Sequence, residues 1–348
     1  MITKIEIENF KCFEKEAIEI KPLTILTGTN SSGKSSLIQA LLISGDHASG
    51  SDMLDYIGSL GDFDDLKNKY VNPKKYSIEI FFSDGTVSSL KEKKEKEPNI
   101  KLLNNNLIYP SKLTYLNSNR ITIGEINTTS NTFNQARYFG IDGKFVANYY
   151  EKHKEEPIEE FLIENKNMAK TLEAQVNYWL GLITTHQYEL QTKKVSSTMI
   201  TASYKIDGLE FKPSNIGAGI SYIATILIAC LSASRENIII IENPEIHLHP
   251  RSQAMIGKFL SFIASKGVQL IVETHNDHLI NKIRYEVYKQ NIKADDVIIH
   301  YKTSKTNFEQ IYIKQNGFFQ NKEGENSFPS GFYDATIKEI FEINKASL

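Results

Sequence analysis

The sequence predicts an α/β protein: a mainly parallel sheet covered by helices on both faces, with an antiparallel N-terminal β part and an inserted mixed, partly helical lobe. Three observations predict it. From residue 215 onward, apolar strands and amphipathic helices alternate, which is the pattern of a parallel sheet. "PLTILTG" (22–28) is a short apolar run of the kind buried in such a sheet, and a Gly/Ser loop and a helix pattern follow it. The N-terminal "MITKIEIENF" alternates polar and apolar residues, as a strand with one solvated face does. The expected division is 1–84 as the first part of the core, 85–195 as the inserted lobe and 196–348 as the second part of the core.

Composition bounds the function classes. The chain has 348 residues, 41% hydrophobic and 24% charged, enough for a large core. Its 40 basic and 42 acidic residues give a net charge of −2, so no global basic field points to nucleic acid, and DNA binding would need a local patch. The N-terminus reads as a strand and not as a signal peptide. No apolar run approaches the roughly 18 residues of a membrane span. Cys12 and Cys230 read as reduced thiols, and a cytoplasmic location is expected.

In chain order, 2–9 and 16–20 read as strands around "NFKCF", 22–28 as the buried strand, and Lys34 to about Ser44 as a helix with Leu37, Ala40 and Leu41 on one face. "YSIEIFF" (76–82) alternates as a strand. "KEKKEKEP" (91–98) carries no apolar residue and reads as a solvated loop or helix tip and a domain boundary. A strand lies in "KLTYLNSNR", residues 155–182 look helical, and 196–214 read as two strands about Asp207-Gly208. The alternating helices and strands of "GISYIATILIACLSAS", "NIIIIE", "PRSQAMIGKFLSFIASKG", "VQLIVETH", "DHLINKIRYEVYKQN" and "DVIIHYK" follow.

"GTNSSGKS" matches G-x-x-x-x-G-K-[ST] at every fixed position, between a buried strand and a helix. Gly28 and Gly33 let the backbone wrap an anion. The N–H groups of Thr29, Asn30, Ser31, Ser32 and Ser36 and the helix N-terminus favour phosphate. Lys34 is placed to reach the β/γ-phosphates, and Ser35 to give its hydroxyl to Mg²⁺. "IIIIENPEIHLHP" (238–250) then reads as a buried strand ending in a carboxylate. Glu242 is expected beside Ser35 across one strand spacing, as the second metal-side group.

Together, "MITKIEIENFKCF", "PLTILTGTNSSGKSSLIQALL", "IIIIENPEIHLHP" and "LIVETHNDHLI" resemble the ABC-class ATPases of the SMC, RecF and OLD type. The chain is most similar to stand-alone bacterial AAA family ATPases whose second motif reads E-N/Q-P-E-x-H-L-H-P, which are common in anti-phage defence operons. "YLNSNR" (115–120), "FGIDGKFVANYY" (139–150), "VNYWL" (176–180) and "FPSGFYD" (328–334) extend the resemblance over nearly the whole chain, with the 85–175 insertion the weakest part.

The resemblance implies an ABC-type P-loop ATPase head that uses ATP and Mg²⁺. It implies Glu242 on the Mg²⁺ side and Asn243 where most such enzymes carry the glutamate that polarises the attacking water. His275 matches the switch histidine that senses the γ-phosphate. "SNIGAGIS" (214–221) takes the place of the signature loop, with Ser214, Gly217, Gly219 and Ser221 expected at the nucleotide of a second subunit. "HLHP" (247–250) matches a dimer-crossing loop, and one residue of "GSLGDFDDL" (58–66) fills a γ-phosphate-sensing loop. Glu245 stands either as an alternative base or as a cap or brace. Arg120 stands either as a phosphate or partner contact or as a structural salt bridge. Tyr178 and Trp179 read as helix packing rather than a stacking platform. No cysteine or third histidine accompanies His247-x-His249, so no zinc site is expected there.

The expected function is a slow, dimeric ATP switch: a homodimer or higher homo-oligomer serving as sensor or scaffold for a separate nuclease or toxin, with no membrane. The alternative is a RecF/SMC-like ATPase of DNA repair or recombination, though long coiled-coil arms are absent. A self-contained OLD-type nuclease and a transporter motor fit less well.

Overall fold

A computed structural model describes residues 1–47, 49, 51–94, 107–129, 137–184, 186–303 and 307–333, together with the backbone of 99–103. Strands β1 (Ile2–Phe10) and β2 (Phe13–Glu19) form a hairpin, and β3 (Leu23–Gly28) leads through the glycine loop into helix α1 (Lys34–Ile43). Two-residue β4 (Asp46–His47) and short helices α2 (Asp52–Ser59) and α3 (Phe63–Leu66) follow. Then come β5 (Lys75–Phe82), β6 (Val87–Lys93), β7 (Asn99–Leu103), two-residue β8 (Ile108–Tyr109) and β9 (Leu113–Leu116). The middle of the chain gives β10 (Ile126–Thr128), α4 (Val146–His153), α5 (Leu172–Thr184), β11 (Glu189–Lys194), β12 (Met199–Ile206) and β13 (Leu209–Phe211). The last part alternates: α6 (Ala218–Leu231), β14 (Ile238–Glu242), α7 (Pro250–Ser265), β15 (Gln269–Glu273), α8 (Asp277–Tyr288), β16 (Val297–Lys302), β17 (Glu309–Ile313) and β18 (Phe319–Asn321).

The central sheet has seven strands in the order β18-β17-β16-β3-β15-β14-β9. β16, β3, β15, β14 and β9 run parallel, and β17 and β18 close one edge antiparallel. Alternate residues of the parallel strands feed two separate cores, as a period of two requires. Ile25, Ile239, Ile241, Leu270 and Val272 pack with α5, α6, α7 and α8, whereas Leu26, Ile238, Ile240 and Ile271 pack with α1 and the N-terminal strands. One face is thus covered by helices. The other is covered by α1 and the antiparallel sheet β2-β1-β5-β6-β7. Gln269 joins the two sheets, accepting from the Ile2 N–H and donating to the Ile2 carbonyl, both at 2.7 Å.

Four sequence readings change. Residues 91–93 are not loop but the end of β6, with Glu92 opposite Tyr76 and accepting its hydroxyl; 95–98 lie outside the described residues. The charge run hid a strand because its solvated residues alternate with ones that face inward. The antiparallel sheet continues through β6 and β7, so the boundary expected at 84/85 falls inside it. β9, assigned to the inserted lobe, is an edge strand of the central sheet itself. In 155–182 only α5 is a long helix. Pro157 bridges Thr171 as an isolated pair, and Asn165 accepts from the Asn167 N–H, so the segment between turns rather than winds. The Asp207-Gly208 hairpin forms as read, both residues with positive φ (50° and 84°).

Candidate nucleotide site

The glycine loop is built on close backbone contact. Gly28 pairs with Lys302 of β16, and the Thr29 N–H donates to the Lys302 carbonyl at 3.0 Å. With φ at 130°, a Cβ on Gly28 would lie 2.0 Å from that carbonyl oxygen, so only glycine fits. Gly33, with φ 110°, opens α1. Thr29, Asn30 and Ser31 are exposed along the loop, and Ser32 is buried with its hydroxyl unpartnered. Lys34 is almost fully buried. Its Nζ donates to the carbonyls of Thr29 (2.8 Å) and Gly28 (3.4 Å) and stands 3.8 Å from Glu273 Oε1. Burial holds its pKa below the usual lysine value, and Glu273 opposes that shift.

The carboxylate beside Ser35 is Glu273, not Glu242. β15 lies between β3 and β14, so Glu242 is in register with Glu273, and Glu273 with Leu26. The Ser35 hydroxyl donates to Glu273 Oε2 at 3.4 Å. Glu242 sits one strand further out, accepting the Tyr115 hydroxyl at 2.8 Å and the Ser118 N–H at 3.0 Å. The sequence reading missed Glu273, although it stands two places before His275 at the end of an apolar strand. An inserted strand between motif strands leaves no mark in either motif. Burial first, then the nearby Glu242 carboxylate, pushes Glu273 up to about 7, while Lys34 pulls it down.

The turn after β14 is held from several directions. Asn243 has φ 44°, and its N–H donates to the Glu273 carbonyl at 2.7 Å. Arg120, only 3% exposed, donates to the carbonyls of Asn117 (2.8 Å), Asn243 (2.8 Å) and Glu242. Of the two earlier readings of Arg120, its direct hydrogen bonds therefore fit an internal role. Glu245 Oε1 accepts from the His275 N–H at 3.3 Å, and burial raises the pKa of Glu245. Asn243 Oδ1 and Glu245 Oε2 are both buried without a hydrogen-bond partner. His275 stands exposed beside the loop. Burial, then the Lys34 charge, lowers its pKa against a contact with the Gly28 carbonyl, which favours neutral imidazole.

The signature-like segment divides. Ser214 and Gly217 are exposed, and a Cβ on Gly217 would meet nothing within 4 Å. Gly219 is buried against its own chain, with a Cβ position 2.5 Å from the His247 carbonyl oxygen. Ser221, at 2% exposure, donates to the Ile123 carbonyl (3.2 Å) and accepts the Tyr204 hydroxyl (3.1 Å). Gly219 and Ser221 are therefore buried against different parts of their own chain, while Ser214 and Gly217 face out. His247 stacks its ring near Tyr222, and His249 caps α7 by accepting the Arg251 N–H. Trp179 is core, against Phe259 and Phe262. Phe328, Phe332 and Tyr333 pack on Phe319 and Tyr301, with Asp334 outside the described residues.

A glycine loop at a helix N-terminus, a buried lysine and carboxylates at the C-terminal edge of a parallel sheet define a P-loop nucleotide-binding protein. The chain belongs to the AAA ATPase domain family, which it matches over residues 1–134 and 63–280. A comparison with curated proteins finds no match. Among solved structures, the chain is similar to an Smc head bound to the C-winged helix domain of ScpA, at TM-score 0.54 and 14% identity over 90% of this chain and 98% of that one. It is also similar to the Smc head domain with an extended coiled coil bound to the C-terminal domain of ScpA from Pyrococcus furiosus, at TM-score 0.52 and 13% identity over 99% of each chain. A third similarity, to the recombination mediator RecF, has TM-score 0.46 and 10% identity over 88% of this chain and 98% of that one. The architecture is thus that of the ABC-type head, as expected. Among the described residues no helix is long and apolar enough to cross a membrane.

Proposed function

We propose that the chain binds ATP with Mg²⁺ and hydrolyses it slowly, as a nucleotide switch in which two copies enclose the nucleotides. The carrying observation is the buried Lys34 ammonium held over the loop between Thr29, Gly28 and Glu273, with Ser35 on the same carboxylate. A triphosphate entering this loop replaces carbonyl contacts of Lys34 with phosphate oxygens. Ser35 would hold the metal, with Glu242 and Glu273 able to orient its water shell. Among the described residues no group of three His, Cys, Asp or Glu side chains holds a metal by itself, which suits an ion completed by phosphate and water. Held there by Ser35, Mg²⁺ would supply positive charge to offset that of the bound phosphates. Neutral His275, beside Gly28 and Lys34, is suited to accept or donate one hydrogen bond at the γ-phosphate.

Asn243 can orient a water but cannot take its proton. A positioned general base contributes about 10²–10⁴ in rate, so its absence supports slow turnover and a long-lived ATP state. Glu245 accepts the His275 N–H, which supports its role as a brace. Such a protein suits a sensor or scaffold subunit that keeps a separate nuclease or toxin silent in anti-phage defence, the reading its motifs favour. The alternative, a RecF/SMC-like ATPase in DNA repair or recombination, shares the fold and predicts DNA-stimulated hydrolysis. Light scattering tests the switch. Mass should double with ATP in the unsubstituted protein and stay monomeric in Gly217→Trp, whose side chain has open space in its own copy. An assembly insensitive to both would remove the two-copy arrangement. Unchanged hydrolysis with added DNA favours the first role over the second.

A further inference from the structure

Arg120 lies where three pieces of the chain meet. Its Nη1 donates to the carbonyls of Asn117 and Glu242 and its Nη2 to that of Asn243, so one guanidinium closes the turn that carries the reaction-side residues. Such a fork cannot be matched by the single ammonium of lysine. The face of the guanidinium is covered by Tyr222, with Cζ 5.7 Å from the ring centroid. Tyr222 belongs to α6, the helix whose N-terminus carries exposed Ser214 and Gly217 just before it. The Tyr222 ring also lies over His247, with centroids 5.4 Å apart and planes at 32°. Gly219, three residues earlier on α6, fits against the His247 carbonyl, leaving a Cβ position only 2.5 Å away. Helix, histidine loop and carboxylate turn therefore close a ring around one cation. Arg120 reaches neither the loop that takes phosphate nor the surface.

We propose that Arg120 is a positioning residue that couples α6 to the Asn243 turn, so that movement of the exposed end of α6 reaches the residues that set hydrolysis. The two-copy reading gives this coupling its use, because a second nucleotide would press on the end of α6. The physical content is a shared element. Tyr222 fixes the plane of the guanidinium, the guanidinium fixes the carbonyls of 242 and 243, and those carbonyls set where the Asn243 amide and the Glu245 carboxylate point. Asn243 has φ 44°, a region in which a turn needs outside support.

The test uses hydrogen exchange on the nucleotide-free chain, then single-turnover ATP hydrolysis. Arg120→Lys and Tyr222→Leu should each speed amide exchange across 243–248 by about ten-fold or more, leaving α1 and β15 unchanged. Combined, they should do no more than Arg120→Lys alone, since both act through one contact. Nucleotide affinity should stay within about three-fold while the single-turnover rate falls about ten-fold or more, a split that general unfolding does not produce. Full additivity of the two substitutions, exchange rising over the whole sheet, or no change at 243–248 would overturn the coupling. If Arg120→Lys does not fold, Tyr222→Leu alone decides, because an unchanged turn in that variant overturns the proposal equally. Absence of ATP-driven dimers in the unsubstituted protein would instead remove the two-copy reading, leaving the exchange result to judge the coupling by itself.

Discussion

The two walls of the nucleotide site are held in opposite ways. The loop from Gly28 to Ser36 carries its glycines, its lysine and its hydroxyls within one contiguous motif. Its conformation needs glycine at 28 because β16 passes 2.0 Å from where a Cβ would stand, and its charge comes from Lys34 within the same motif. The turn from Glu242 to His249 has local bonds, Ile246 N–H to the Asn243 carbonyl (3.3 Å) and Leu248 N–H to that of Glu245 (3.2 Å), but its carboxylate end is held from elsewhere in the chain. Its anchors are Tyr115, Ser118 and Arg120, over a hundred residues earlier, and Glu273 and His275, about thirty residues later. The wall written in one contiguous motif carries Lys34, the charge proposed to bind phosphate. A wall held from a distance is suited to change, since several elements share control of it.

The largest break in this comparison is on the local wall. Lys34→Ala should lower ATP affinity by roughly a hundred-fold or more, because the triphosphate loses a buried charge-assisted hydrogen bond. Fluorescent-nucleotide titration measures it, and an affinity within a few-fold of the original would mean the loop does not hold phosphate through this lysine.

Glu273 touches both walls, and its titration sharpens the contrast. Its carboxyl stands at about 7 in the folded chain against 4.5 ordinarily, so the folded state binds this proton more tightly than the unfolded one. Stability from this group is therefore fullest below the unfolded value and is lost as pH rises toward and past the folded one. Raising pH from about 4.5 to about 8 should remove up to about 3 kcal/mol in the nucleotide-free protein. Glu273→Gln should flatten that dependence in denaturant titrations at several pH values. An identical pH profile in the variant would show that Glu273 is not the carboxyl held neutral.

A smaller effect separates Gly219, inside α6, from Gly217, its N-cap. Propensity alone would let alanine stabilise a helix by about 1 kcal/mol over glycine. At Gly219 the His247 carbonyl, 2.5 Å from the added Cβ, reverses the sign, and Gly219→Ala should cost about 1–3 kcal/mol. Gly217→Ala, with φ −60° and open space, should stay within about 0.5 kcal/mol. Equal behaviour in thermal unfolding would mean α6 does not seat on the His247 loop.

What was legible in the sequence follows the same division. The parallel core, the glycine loop, the Asp207-Gly208 hairpin and the helix after Asn276 follow from short-range patterns, and each forms. The placement of Glu242 did not follow, because the intervening β15 is a fact of topology that neither motif records. β9 escaped as a core strand because its partner β14 lies more than a hundred residues later. The inward turn of Ser221 was readable in principle. It lies four residues from Gly217 on a helix whose buried face runs almost all round, and only contact with Tyr204 and Ile123 fixes its direction.

The proposed slow turnover turns on Asn243, an amide at the position where the resemblance expects a base. Single-turnover ATP hydrolysis on Asn243→Glu and Glu245→Gln tests it most directly. Asn243→Glu should raise the rate by about ten-fold or more, a fraction of what a positioned base supplies. The left-handed φ of 44° at this turn sets a modest cost of about 1–2 kcal/mol in stability for the same change. Glu245→Gln should leave the rate nearly unchanged, since its role in this account is to brace the His275 N–H and an amide oxygen can accept that bond as well. Abolished turnover in Glu245→Gln, with no gain in Asn243→Glu, would contradict the account and assign the base to Glu245.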